Sequence, residues 1–527
     1  MGERLFAEPR FAQFFQAHNN GKINGSLPAS DLALDTIAVA SADALVIKNP
    51  LAGQSMSCGS CHLGAEHKER AGLPVMGVNI FGDFSQRSPV SERNDGHRVT
   101  PRNAPPLVGM LAGPQEGWGL LHWDGEFVTI EDLVKGTYLG RNFGWLPDER
   151  AEAGRHFARV IREDDGAGSL AGKYGQLSYT VLLRGTDPAI PPALRLPENF
   201  RLDVARASDD EILHGCARLV TAFLASLQFS RDTGGRHNGS PYDAFLAANR
   251  LPQAPAPGES SPEYARRLHT AVAALRAPRY IDEPSRKLVL HDQPFRFGKL
   301  ELRGMRIFFR GTLGYGRTAG AGNCAECHVP PHFTDFSFHN TGVTQDEYDA
   351  VHGAGAFTRL ALPTIKERLN EHERWLPPSP QHPQGRGGLL SLVSTDSPGR
   401  TDLGLWNVYG NPDLPTPQPM IEKKLNHEGR LSGDEVLALT IARFKTPTVR
   451  DLGQSAPYLH TGRLATIEEV LLLYQRMSDQ ARSGKLRNAP PEFSVMRLEE
   501  ADIEPLAAFL RALNEDYDEQ SEPFPSP

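Results

Sequence analysis

Two five-residue strings constrain this chain more than any other feature of its 527 residues: Cys58-Gly-Ser-Cys61-His62 and Cys324-Ala-Glu-Cys327-His328. The chain has 5 cysteines, and all but Cys216 fall in these strings. With 18 histidines available, chance would place about 0.002 such strings in a sequence of this composition. The spacing has a chemical reason. Two thiols three positions apart can add to the two vinyl groups of one haem, and the adjacent imidazole then falls under the iron. The competing readings are a zinc site made of two cysteine knuckles and a redox dithiol. Zinc has no need of a histidine directly after the second cysteine, and a dithiol does not explain two copies. The sequence therefore predicts two covalently bound haem c groups, on Cys58, Cys61 and His62 and on Cys324, Cys327 and His328, with His62 and His328 as iron ligands. Cys216, in the apolar run Glu-Ile-Leu-His-Gly-Cys-Ala-Arg, reads as a core residue.

Covalent haem attachment implies assembly on the oxidising side of a bacterial membrane, so a periplasmic location is expected. The polar start Met-Gly-Glu-Arg-Leu-Phe-Ala-Glu lacks an export signal, which is taken as absent from this sequence. No apolar run approaches the roughly 20 residues that cross a bilayer, so no membrane span is expected. The formal net charge of -8 excludes nucleic acid as the expected partner and permits a positively charged protein.

Hydrophobic content of 39% with 23% charged residues suits a globular chain of two to four domains. Apolar residues recur with helical period over 209–228 (Ile212, Leu219, Val220, Phe223), 466–478 (Ile467, Val470, Leu471, Tyr474) and 498–514 (Ile503, Leu506, Phe509, Leu510). Thr466 with Glu468-Glu469 marks a helix start. No stretch shows sustained strand alternation, so the fold class expected is mainly α. Segments 251–262 and 376–400, rich in Pro, Gly and Ser, read as loops, and the acidic tail as frayed.

Several further strings stand around the two attachment sites in a fixed order. They are Arg102-Asn103-Ala104-Pro105-Pro106, His122-Trp123-Asp124-Gly125, Ser240-Pro241-Tyr242-Asp243, Phe333-Thr334-Asp335, Phe338-His339-Asn340-Thr341-Gly342, Lys445-Thr446-Pro447-Thr448-Val449-Arg450 and Ala456-Pro457-Tyr458-Leu459-His460-Thr461-Gly462. In this combination the chain resembles the bacterial di-haem cytochrome c peroxidase family, including its offshoot typified by MauG. The resemblance implies two cytochrome c-like haem domains with long loop-rich insertions. It puts the peroxide-reactive haem in 1–230 and the second haem in 231–515, with insertions at 251–295 and 346–440 and a flexible tail at 516–527.

The resemblance also implies residue roles. Trp123 would relay electrons between the haems. Asn103, with the main-chain oxygens of Ser455 and Pro457, would hold a calcium ion, an oxygen-only set that suits a hard cation. The family's distal methionine on the second haem falls here on Tyr474, as in the MauG- and BthA-like subgroup, with Met477 as the rival ligand. A phenolate favours ferric and higher states where a thioether favours ferrous iron. The family's acid–base glutamate position falls on Phe143, leaving Glu126, Asp148 and Glu149 as candidates for that catalytic role. His97, Met76 and Met110 are candidate caps on the first iron.

The expected function is that of a di-haem oxidoreductase. It would react with hydrogen peroxide at the first haem and share the high-valent oxidant with a His/Tyr-ligated second haem. Its electron donor would be a small cytochrome or a protein substrate. The rivals are a conventional di-haem cytochrome c peroxidase, a di-haem electron-transfer protein with both irons capped, and a haem oxygenase of organic substrates.

Overall fold

The structure is a computed structural model describing residues 1–25, 36–38, 46–48, 57–62, 102–110, 118–172, 174–289, 291–311 and 320–516. The fold is mainly helical, and its strands form three two-stranded antiparallel sheets among these residues. Among the described residues, buried apolar side chains gather in three clusters.

The first cluster is organised by the helix Asp209–Ser226. Ser208 opens it: its hydroxyl accepts from Glu211 N at 3.2 Å, and the Glu211 carboxylate accepts from Ser208 N at 2.7 Å. This reciprocal cap satisfies two otherwise orphaned amides. The apolar face (Ile212, Leu219, Val220 and Phe223 among others) is buried against helices Gly2–Phe6, Ile130–Tyr138 and Arg150–Glu163. Cys216 lies wholly inside, its thiol pushed up by burial, as expected of a core residue. The N-terminal segment is tied down by a buried ion pair between Arg4 and Asp164 at 2.7 Å.

In the second cluster, helix Lys299–Phe309 crosses helix Glu500–Arg511 at Gly304, where a Cβ would stand 1.8 Å from Pro505 O. Helix Ile467–Arg482 packs beside them, opened by Thr466, whose hydroxyl accepts from Glu469 N at 3.2 Å. All three helices read from periodicity are present, with their ends shifted by a few residues.

The third cluster belongs mostly to residues 346–440. Leu403, Leu405, Trp406, Ile421, Val436 and Leu437 pack there with Trp118, Leu120 and Phe338. Residues 346–440 thus share a core with segments that follow each attachment string in the chain. Short helices such as Ile365–Asn370, Gln418–Leu425 and Gly433–Thr440 build it, and 376–400 is irregular as expected.

Two local expectations change. Helix Ser261–Ala274 begins in the last residues of the expected 251–262 loop, because Ser260 and Glu263 form a cap that the surrounding prolines obscure. The 251–295 insertion also holds most of a hairpin, Ile281–Leu288 paired with Gln293–Phe297, in register from Ile281↔Phe297 to Leu288↔Gln293. Its first strand is exposed over most of its length, so no inside–outside alternation marks it in the sequence. Residues 517–527 of the expected tail lie outside the described residues.

Candidate active site

The first attachment string forms the short helix Cys58–Cys61, with His62 N donating to Cys58 O at 3.1 Å. Both cysteines pack against the first core. Burial pushes the Cys58 thiol up to about 12 and holds the His62 imidazole down near 4, so the ring stands neutral, the form that ligates iron. His62 Nδ1 is buried without a hydrogen-bond partner among the described residues. A cavity of about 880 Å³ opens beside this string, lined by Cys58, Cys61 and His62 and by apolar side chains such as Leu107, Val134 and Leu224. Paired thiols, a neutral imidazole and an apolar cavity are the surroundings that a c-type haem takes.

Across the same cavity stands a tight loop closed by a bridge between Leu121 and Phe127, with Leu121 N donating to Phe127 O at 2.8 Å. His122 and Gly125 both have positive φ, which turns the chain sharply enough to present His122, Trp123, Asp124 and Glu126 from one loop. Gly125 is needed twice over, since a Cβ there would also press on Leu120, Phe338 and Leu405 at 3.2–3.3 Å.

Trp123 is buried. Its indole N–H donates to Asn103 O at 2.7 Å, and its carbonyl accepts from Lys445 N at 2.9 Å. The ring meets that of His460 edge-on at 6.3 Å. Trp123 therefore sits where segments of the two halves of the chain meet, and it lines the first cavity.

Glu126 faces that cavity, and its side chain is 34% exposed. Burial, and next the Asp124 charge, raise its carboxyl to about 7. Asp124 behaves oppositely. Burial alone would raise it, but the Arg102 guanidinium outweighs that and holds it well below the usual carboxylate range. His122 Nδ1 lies 3.6 Å from Asp124 and 3.7 Å from Glu126. Burial lowers its pKa, yet the two carboxylates prevail and raise it. Neighbouring carboxyls driven in opposite directions are what acid–base work near neutral pH requires.

The other acid–base candidates stand differently. The Glu149 carboxylate accepts from Leu146 N at 2.8 Å at the start of a short helical turn, and neither it nor Asp148 lines the cavity. Phe143 lines it, buried, at the position where the resemblance places an acid. Met110 also lines it, while Met76 and His97 lie outside the described residues. His122 is not among the acid–base residues expected from the sequence, although three titratable residues within five positions, His122, Asp124 and Glu126, are a readable signal.

At the second string, His328 N donates to Cys324 O at 2.8 Å. His328 Nδ1 lies 3.2 Å from Phe333 O, the contact that fixes a ligating histidine's tautomer and leaves Nε2 for iron. Burial lowers the pKa of this imidazole as well. Tyr474, on helix Ile467–Arg482, packs edge-on to Phe493 at 5.5 Å. Burial raises its phenol first, and the Cys327 and Cys324 thiols add to the rise. Met477 is fully buried against Gly342, where a Cβ would meet its sulfur at 2.6 Å.

Asn103 and Pro457 are brought together from far apart in the chain. Asn103 Nδ2 donates to Pro457 O at 2.6 Å, Asn103 N donates to His460 O at 2.6 Å, and Asn103 Oδ1 is buried without a partner among the described residues. Ser455, two positions before Pro457, is buried too. An orphaned amide oxygen beside main-chain carbonyls suits a hard cation.

No family model matches the chain. It is 24% identical over 201 residues to cytochrome-c peroxidase IdrP2 of Denitromonas iodatirespirans, a match covering 38% of each chain. It is 35% identical over 85 residues to the methylamine utilization protein MauG of Methylorubrum extorquens, covering 16% of this chain and 22% of that protein. The chain thus spans well under half the length of these curated relatives. Among solved structures, the diheme peroxidase BthA of Burkholderia thailandensis aligns over 98% of this chain and 85% of its own, at 16% identity and a TM-score of 0.43. Alongside the doubled attachment string, these sequence matches make the chain similar to members of the di-haem cytochrome c peroxidase and MauG family.

Proposed function

We propose that the protein is a peroxide-dependent di-haem oxidoreductase of the MauG-like kind, acting in the periplasm. One observation carries the reading: His122, Trp123 and Glu126 line the same cavity as Cys58, Cys61 and His62. Haem c groups held by Cys58, Cys61 and His62 and by Cys324, Cys327 and His328 would supply the redox chemistry with hydrogen peroxide. The chain's own residues do the rest. Glu126, with a carboxyl near 7, takes a proton from bound peroxide and returns it to the departing oxygen. Asp124, ionised beside Arg102, keeps His122 positioned and favours its protonated form. Trp123 bridges the halves as the electron relay, and Lys445 and Asn103 hold it in place by hydrogen bonds. In this reading 1–230 serves the first haem and 231–515 the second.

Tyr474 is the proposed second ligand of the second iron, in preference to Met477. The support is its position: Tyr474 stands half-buried against the core that also takes Cys324, whereas Met477 is wholly buried with its sulfur against Gly342. A calcium ion would be held by Asn103 Oδ1 and the carbonyls of Ser455 and Pro457, once the Asn103 amide turns its oxygen toward Pro457. The electron donor would be a small cytochrome or a protein substrate. Met110 on the cavity wall favours the rival reading of a capped electron carrier.

The test is to add one equivalent of hydrogen peroxide to the diferric protein and follow its optical and electron paramagnetic resonance spectra. A long-lived species oxidised at both irons is expected. Fast turnover only with a reduced cytochrome would instead indicate a conventional peroxidase, and no reaction would leave the carrier.

A further inference from the structure

The insertion carries a cluster that the haem chemistry does not use. His372 opens the short helix His372–Trp375, His382 lies in the irregular segment beyond it, and Asp413 follows Asn411 in the next turn of chain. The fold brings them to one point. Asp413 Oδ2 is 2.8 Å from His382 Nδ1 and 3.3 Å from His372 Nε2, and the donor atoms of all three residues lie within 4.8 Å of one another. The two imidazoles stack with centroids 3.6 Å apart and planes at 25°. We infer that His372, His382 and Asp413 form a binding site for one divalent transition-metal ion of the zinc and copper class.

Three features argue for an ion over a plain hydrogen-bonded cluster. The His372 side chain is 9% exposed and that of Asp413 5%, yet among the described residues His372 Nδ1 has no partner and Nε2 has only a contact with the Asp413 carboxylate that is too poorly aligned to be a hydrogen bond. A buried imidazole left this poorly satisfied is costly unless something else satisfies it. Second, a tetrahedral ion with arms of roughly 2.0–2.2 Å sets neighbouring donors roughly 3.3–3.5 Å apart, close to the separations already present. Third, two imidazoles with one carboxylate select against calcium and magnesium, which take oxygen sets, and suit zinc or copper(II), with water completing the shell. A Ser-His-Asp hydrolytic arrangement does not fit. The Ser379 hydroxyl donates to Asp413 and accepts from the His382 main chain, so no imidazole is placed to take its proton.

The place of the site gives it a consequence. Ser379, Pro380, Gln381 and Asp413 all line the cavity shared by Cys58 and His62. An ion at this point pins the irregular 376–400 segment to the rest of the insertion along that wall. His382, with its side chain 39% exposed, leaves a path from solvent.

The test uses the holoprotein with both haems, stripped by a chelator, saturated with calcium, and titrated with Zn2+ by isothermal calorimetry with elemental analysis. One Zn2+ per chain is expected, with affinity at least tenfold weaker in His382→Ala and Asp413→Asn while the haem spectrum stays unchanged. His382→Ala alters a side chain open to solvent, so it keeps the fold should Asp413→Asn lose it. Failure to bind stoichiometric Zn2+, or equal affinity in His382→Ala, overturns the assignment. Neither result depends on whether the protein consumes peroxide.

Discussion

Glu126 shows how much of the proposed chemistry turns on one side chain's surroundings. It shares a loop with Asp124, yet the two carboxyls are driven in opposite directions, since Arg102 reaches Asp124 while Glu126 feels burial and its neighbour's negative charge. As a base Glu126 works in its ionised form, which dominates above about pH 7. Peroxide consumption should therefore fall as pH drops through 7. Glu126→Gln should cost roughly 100-fold in rate and remove that inflection, as read by stopped-flow absorbance across pH 5–9. Tyr474 makes the second case at this scale. With Tyr474 as the proposed ligand, Tyr474→Phe should leave haem content intact and raise the midpoint potential of the second haem, since it would remove an anionic ligand that favours ferric iron. Met477→Leu should leave that potential where it was, and a spectroelectrochemical titration separates the two.

Among the elements, the crossing of Lys299–Phe309 with Glu500–Arg511 is set by the smallest side chain in it. Gly304 lies mid-helix, where glycine costs up to about 1 kcal/mol relative to alanine in isolation. Here that preference is reversed, because an added methyl would run into Pro505 O. Gly304→Ala should lower stability by about 3 kcal/mol, and the thermal midpoint with it, without changing the first cavity. Helix starts follow a local logic instead. Ser208, Ser260 and Thr466 each stand three residues before a Glu that closes the cap, so these starts are readable without knowing what the helices pack against.

In the whole molecule, residues 346–440 are bound to the wall of the first cavity by a buried charge cluster. Arg102 donates to Asp402 at 2.6 and 2.9 Å and also to Asp124, joining residues 300 apart in sequence. Asp402→Asn would leave the guanidinium half-matched in a buried setting. The expected cost is about 3 kcal/mol, with faster proteolytic cutting in 376–400 as the wall of the cavity loosens.

Haem attachment is written in five consecutive residues, and a helix cap in four. The two attachment strings, the mainly helical class and the three principal helices therefore followed from the chain alone. Chemistry of that kind needs only near neighbours in sequence. The hairpin at 281–297 escaped because an exposed strand carries no burial pattern. The pairing of Asp402 with Arg102, the seating of Asn103 on Pro457 and the gathering of His372, His382 and Asp413 are different in kind. They arise from tertiary packing, and no local spacing encodes which distant side chains will share a buried, low-dielectric space. Folding in three dimensions decided those contacts.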